Sequence, residues 1–390
     1  MNRAGFIARS ASVSLVRMHQ SFPVIAITGP RKAGKTTLVR RAFPDKPYVP
    51  LGDPDQLAFA RNDPKRFLER YPNGAILDDV QRCPDIFLYL QDIINRRQVL
   101  GEFILVGSLQ FSFRQHVAES FGEKMITLHL LPFTSEELRG HGVSAHSLDR
   151  EMFRGFYPPV HDRLVLPADW YAGYVQAYVE RDVLQMLLLK GGNDFLHFLK
   201  LCAGRVGQVL NLSSIGNDAG VSHNTIKEWL SVLEASYIIY RLSPHHKNFS
   251  KRLIRSPKLY FFDTGLLCWL LGIRSSEQLA THALRGVIFK NYVIAELSKQ
   301  YYSKGEVPPF YFWRDQSGLE IDLIVERAGK LQPVEIKSGQ TLTEDYFNDL
   351  NRWMILAGKE GCDPTLVFGG QEQLKRSGVH VLGWKHLGSC

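Results

Sequence analysis

Gly29, four intervening residues, then Gly34, Lys35 and Thr36 make the most informative spacing in this chain, inside the run VIAITGPRKAGKTTL. This is the GxxxxGK[ST] pattern of a phosphate-binding loop, set between an apolar run and a helix-forming one as such a loop requires. Glycines let backbone N–H groups curl around phosphate oxygens. Lys35 brings a point charge to the β and γ phosphates, and the Thr36 hydroxyl can ligate magnesium. A helix starting near Lys35 turns its positive end towards the same anion. Thr37 follows directly, and Arg31 lies inside the loop, where it suits a phosphate contact or an interface equally well.

A second run, AILDDVQ at 75–81, is an apolar strand ending in two acids. Its separation from the loop suits a neighbouring strand of the same sheet, with Asp78 on the magnesium side. Asp79 stands where a general base for hydrolysis would be needed. Its side chain is shorter than that of Glu by one methylene, about 1.5 Å, and a misplacement of ~1 Å can cost on the order of a hundredfold in rate. Ser108, after FILVG, is placed to sense the γ-phosphate or the attacking water, or to act as an ordinary polar loop residue. Together the two runs predict nucleotide and magnesium binding and leave turnover open.

These groups need a frame, and the hydrophobic pattern supplies one. Short apolar runs at 24–28, 48–51, 75–77, 103–107 and 125–130 alternate with the helix-spaced KTTLVRRAF, PKRFLERY and DIFLYLQDIINRR. Such alternation predicts an α/β fold with a mostly parallel sheet covered by helices. We expect three regions: residues 1–140 around the phosphate loop, a mainly helical region at 141–280 with ADWYAGYVQAYVERDVLQMLL as its clearest helix, and an α/β unit at 281–390. The N-terminal MNRAGFIARSASVSLVRMHQ lacks acids and superficially resembles a transit peptide. We read it as a helix whose Ile7, Val13, Leu15, Val16 and Met18 form an apolar face.

Two further stretches carry chemistry. LNLSSIGNDAGVSHNTIKEWLSVLEASYIIYRL reads as helix, turn at Gly220–Val221–Ser222, second helix and strand, with Ser222 as N-cap and Ile226, Leu230 and Leu233 inward. His223, Asn224, Lys227 and Glu228 then face outward, and the stretch 241–258 adds Arg241, Lys247, Lys251, Arg252, Arg255 and Lys258 with no acid among them. Phosphate contacts to DNA need such charge; a solvated basic surface is the alternative. EIDLIVERAGKLQPVEIK reads as a hairpin turning near Gly329. Period two sends Ile321, Leu323 and Val325 to one face, pairs Asp322 with Glu320 on the other, and pairs Glu335 with Lys337.

The bulk composition limits the partners. The chain has 390 residues, 45% hydrophobic and 22% charged, with a net charge of +8 and pI near 9.1. It is long enough for two or three cores, and its charge makes a polyanion partner plausible. Five cysteines without a close pair fit a reduced, cytoplasmic protein, and no apolar run is long enough to cross a bilayer.

With these residues in view, the chain resembles a family of prokaryotic AAA-type ATPases that carry a nuclease-like C-terminal domain of unknown function. The carriers are FPVIAITGPRKAGKTTL, AILDDVQRCPDIF, FILVGS, LPFTSEEL, WYAGYVQAYVERDV, KRLIRSPKLYFFDTGLL, YFWRDQSGLEIDLIVE and VEIKSG, in that order over nearly the whole chain. The resemblance implies ATP and Mg2+ as ligands, a RecA/AAA-like core, a winged-helix-like middle and a C-terminal fold similar to the PD-(D/E)XK nucleases. It implies that Asp322 and Glu335 form a second metal site with Lys337 polarising water. The chain departs from the family at three places. Asp79 replaces the usual Glu, Lys124 in SFGEK replaces an Arg that could act as a finger in a neighbouring subunit, and Lys290 in FKN replaces a Glu, with Glu296 further along. Lys offers charge without the planar fork of Arg. The expectation is an ATP-binding protein with weak or conditional magnesium-dependent hydrolysis, coupled to a C-terminal interaction module. Its partners are ATP and, where the surfaces allow, DNA, another protein or a second copy. The alternatives are a DNA-binding regulator with a mainly structural ATP site, and an ATP-gated metal-dependent nuclease.

Overall fold

The computed structural model describes residues 6–107, 121–143, 146–162, 165–177, 192–245 and 255–389. The chain forms two compact units. The first comprises residues 1–133 with the short segments 235–237 and 301–306; the second comprises the rest.

The first unit is built on five parallel strands: β1 (Val24–Thr28), β2 (Tyr48–Pro50), β3 (Ala75–Asp78), β4 (Phe103–Val106) and β5 (Met125–His129), in the order β2-β3-β4-β1-β5. β1, β3 and β4 are buried at every position, so they read as continuous apolar runs rather than alternating ones. One face packs on α1 (Ala11–His19) and α2 (Lys35–Ala42), where Leu15, Met18, Leu38 and Val39 meet Ile25, Ile27, Ile76 and Ile104. The N-terminal helix is where the sequence places it, but only part of the expected face is inward: Ile7, Leu15 and Met18 are buried, whereas Val13 and Val16 face solvent. Three further helices follow in this unit, α3 (Pro54–Asn62), α4 (Pro64–Glu69) and α5 (Ile86–Arg97). The hydrophobic pattern misses α3, because it buries only Ala60. Its signal is the cap: the Asp53 carboxylate accepts from the N–H groups of Asp55 and Gln56, with Pro54 at the first helical position.

The second unit is helical through its first part and ends in a mixed sheet. Thr134 and Glu137 form a capping box on the helix Ser135–Gly140, which explains the TSEE run locally. The helix expected from ADWYAGYVQAYVERDVLQMLL is seen as Pro167–Tyr174; residues 178–191 lie outside the described ones. Helices Leu212–Ala219 and His223–Ala235 flank the predicted turn, and Ser222 accepts from the Thr225 N–H as expected of an N-cap. The sheet contains eight strands: β6 (Ile239–Pro244), β7 (Lys258–Phe261), β8 (Phe310–Arg314), β9 (Glu320–Arg327), β10 (Lys330–Lys337), β11 (Thr365–Phe368), β12 (Gln373–Arg376) and β13 (Val379–Gly383), in the order β12-β13-β11-β10-β9-β8-β6-β7. Two of its strands therefore come from residues 239–261. No described helix is long and apolar enough to cross a membrane.

Gly74, at the entry to β3, has φ +77°, and a Cβ there would lie 1.7 Å from the Glu102 carbonyl oxygen. Gly122 shares a positive φ, but a Cβ there meets nothing within 4 Å. Gly74→Ala is expected to destabilise the fold by about 2–3 kcal/mol and Gly122→Ala by only about 1 kcal/mol, the conformational term alone. Equilibrium unfolding midpoints of the two variants check the difference.

Candidate nucleotide-binding site

The loop between β1 and α2 is held in shape by backbone contacts that glycine alone permits. At Gly29, φ is +151° and a Cβ would sit 2.0 Å from the carbonyl oxygen of Leu130, the residue after β5. Gly34 takes φ +95° as it enters α2. The Arg9 guanidinium, buried, donates to the Ala33 carbonyl at 2.8 Å and the Leu131 carbonyl at 2.6 Å, so the N-terminal segment grips the loop from behind. Below the loop, the Thr28 hydroxyl lies 2.9 Å from the Tyr237 hydroxyl and 3.0 Å from His129 Nδ1, and those two are 2.6 Å apart. Neither Arg9 nor Tyr237 carries a sequence signal; Tyr237 is 209 positions from Thr28.

Lys35 donates to the carbonyls of Gly29 at 2.9 Å and Pro30 at 2.8 Å. Burial depresses its pKa to about 8, partly countered by the nearby carboxylates of Asp78 and Asp79, while Arg31 adds to the depression. Arg31 and Thr37 are exposed, the first on the loop and the second in the first turn of α2.

Asp78 ends β3, but β3 does not neighbour β1 as its sequence distance suggests: β4 lies between them. The two meet through side chains. The Thr36 hydroxyl donates to Asp78 Oδ2 at 2.7 Å, the Tyr48 hydroxyl donates to the same oxygen at 2.8 Å, and the Asp79 N–H donates to Oδ1 at 2.9 Å. Burial and Asp78 together push the Tyr48 phenol up, which keeps it a donor. Thr36 and Asp78 are the oxygen pair that could hold a magnesium ion: an exchangeable hydroxyl and a carboxylate oxygen beside the phosphate loop are what such an ion takes from protein when phosphate and water complete its shell.

Asp79 sits in the left-handed region, φ 55°, which Asp tolerates better than most residues. Its Oδ1 accepts from Gln81 Nε2 at 3.1 Å, and its Oδ2 lies 3.1 Å from where a Cβ on Gly52 would be. The other end of the Gln81 amide lies against Gly107, where a Cβ would be 2.7 Å from Oε1. Gln81 thus bridges the candidate base and the end of β4, a role its position gave no reason to expect. Ser108, the next residue, lies outside the described residues. Lys124 donates to Asn95 on α5 at 2.7 Å.

The C-terminal trio is also brought together. Asp322 and Glu335 are both buried, and Lys337 donates to Glu335 at 2.7 Å. A fourth group joins them: the Lys290 ammonium is 2.5 Å from Asp322 Oδ1. Glu296 is engaged elsewhere, accepting from the Ser135 N–H at 2.6 Å and Lys299 at 2.7 Å. In the basic stretch, Arg241 pairs with Glu234 at 2.5 Å and buried Lys258 pairs with Glu320, so acids outside the stretch offset two of its charges. Lys247, Lys251 and Arg252 lie outside the described residues. His223, Asn224, Lys227 and Glu228 are exposed, as expected.

Comparison with known proteins agrees with the first unit's geometry. Residues 21–139 match the family model described as an AAA domain, while 145–277 and 285–387 match two domains of unknown function, DUF8612 and DUF4143. Fold and match together define residues 21–139 as an AAA-type phosphate-loop domain, a nucleotide-binding class. Uncharacterized proteins of Mycobacterium bovis (Mb2031c) and Mycobacterium tuberculosis (Rv2008c) are each 29% identical over 336 residues, covering 85% of this chain and 74% of the relative. Among solved structures, the Walker-type ATPase PABY2304 of Pyrococcus abyssi aligns with a TM-score of 0.45 at 11% identity, over 69% of this chain and 97% of that one.

The depressed Lys35 pKa gives a pH signature. The free protein loses this proton near pH 8, whereas a bound phosphate retains it, so ligand and proton bind together. Nucleotide affinity should fall roughly tenfold between pH 7 and pH 9, and Lys35→Arg, charged throughout, should flatten that dependence. Fluorescent-nucleotide titrations across the range test it. Without nucleotide the sign reverses. The unfolded chain holds the proton up to the ordinary lysine value of 10.5, so stability should rise with pH from about 8 towards that value.

Proposed function

We propose that the first unit binds ATP with magnesium and hydrolyses it slowly or conditionally, and that its nucleotide state governs how the later segments engage a partner. The observation that carries this reading is the Thr36–Asp78 hydrogen bond of 2.7 Å, which joins the loop motif to the acidic strand end. Thr36 and Asp78 would hold the magnesium, which when bound would supply positive charge against the negative charge developing on the γ-phosphate. Around it, Lys35 supplies the fixed positive charge, the loop N–H groups orient the phosphates, and Asp79 orients and deprotonates the attacking water. Gln81 fixes the Asp79 carboxylate. Slow turnover follows from the short reach of Asp79 and, if copies associate, from Lys124 in place of a forked guanidinium.

The alternative of a DNA-binding regulator draws on the exposed His223, Asn224 and Lys227, although Arg241 and Lys258 are already paired. Assays with and without duplex DNA separate the two: regulation by DNA would appear as a change in turnover or nucleotide affinity. Lys35→Ala is expected to lose ATP binding by on the order of a hundredfold or more. Asp79→Glu is expected to raise turnover by on the order of tenfold with little change in binding. Fluorescent-nucleotide titration measures the binding of both variants, and steady-state phosphate release measures the turnover. A fall in turnover for Asp79→Glu would rule out a base limited by reach.

A further inference from the structure

We infer that Lys290 takes the place of a divalent cation in the C-terminal sheet, leaving Asp322 and Glu335 as a latent metal site that one substitution opens. The backbone brings the acids together. Between the pairs Tyr311↔Ile324 and Trp313↔Ile321, β9 advances three residues while β8 advances two, so β9 carries a bulge at Asp322–Leu323. Strict alternation therefore fails here: Ile321 and Ile324, not Ile321 and Leu323, share one core cluster. A bulge re-aims the side chain it carries. Asp322 Oδ2 accepts the Ile336 N–H at 3.0 Å, beyond the last β9–β10 pair, so its carboxylate is pinned next to Glu335.

Cations from this chain already serve both carboxylates. Asp322 Oδ1 holds the Lys290 ammonium at 2.5 Å and Glu335 Oε1 holds Lys337 at 2.7 Å. On the same sheet, Lys258 pairs with Glu320. The remaining oxygen, Glu335 Oε2, is buried and has no hydrogen-bond partner among the described residues. No cluster of three or more His, Cys, Asp or Glu that could hold a metal occurs among them. A magnesium or manganese ion needs six hard oxygen ligands close in. Here it would have to displace an ammonium that cannot leave the site without leaving its own charge nearby.

The ion class is thus a small, oxygen-preferring divalent cation, and the test is Mn2+ binding by the nucleotide-free full chain carrying Lys35→Ala. In that background, Lys290→Glu should bind Mn2+ at least roughly tenfold more tightly than Lys290, since a repelling charge becomes an attracting one. Adding Asp322→Asn should abolish the gain, and Lys290→Gln should show a smaller one. Folded Lys290 variants that bind no better would overturn the inference, as would an unaltered Lys290 chain whose Mn2+ binding is lost with Asp322→Asn. Acetylation of Lys290, followed by mass spectrometry in the unsubstituted chain, reads the same point without any variant. Millimolar Mn2+ should leave its rate unchanged, and acceleration would mean that the ion displaces the lysine.

Discussion

A buried carboxylate is tolerated only when donors meet it, and at Asp78 that requirement organises the first unit. Unpaired, the group would cost several kcal/mol in desolvation. Three donors from three places satisfy it: the Thr36 hydroxyl from α2, the Tyr48 hydroxyl from β2 and the Asp79 N–H at the end of β3. Satisfying one charge therefore fixes the start of α2 against the sheet, although β4 separates β3 from β1. It also draws Asp79 into its left-handed turn, which aims that side chain towards Gly52 and Gln81.

The phosphate loop is constrained from the opposite side by contacts with no ligand-binding role of their own. Arg9 spans the carbonyls of Ala33 and Leu131, and Gly29 lies directly against Leu130. Thr28 shares a hydrogen-bonded triangle with His129 and Tyr237. A loop held this way does not lose further freedom when it wraps an anion, so less of the interaction energy goes into ordering it. The N-terminal segment and residues around Tyr237 thereby become part of the site's support while standing far from it in sequence.

This explains what the sequence made legible. The strands of the first unit were readable because a parallel sheet covered on both faces demands unbroken apolar runs, and VIAIT, AIL and FILV are such runs. The loop was readable because Gly29, Gly34, Lys35 and Thr36 do their work within one turn of chain. Strand order was not, since neighbours are set by crossover geometry, and this is why Asp78 was expected one strand too close. Arg9, Tyr48 and Tyr237 act only through tertiary contacts, and Gln81 acts through Asp79 two residues back and through Gly107; none leaves a periodic or motif signal. Helix α3 escaped because its cap, rather than its apolar content, defines it. At Asp322 the reading failed for a local reason: one extra residue in β9 breaks the period on which the face assignment depended.

The two acidic sites show why similar residues lead to different chemistry. Asp78 is met by neutral donors, two hydroxyls and an N–H. Thr36 can rotate its proton away and offer a lone pair, so an arriving cation replaces a hydrogen bond without stranding a charge. Asp322 is met by an ammonium and an N–H, and Glu335 by a second ammonium. A cation arriving there must expel an ammonium from a partly buried site and then lie beside it, where repulsion at low dielectric is strong. Each carboxylate has a partner, and the nature of that partner decides whether it can be exchanged for a metal. The hydroxyls at Asp78 keep the exchange open, and Lys290 closes it at Asp322.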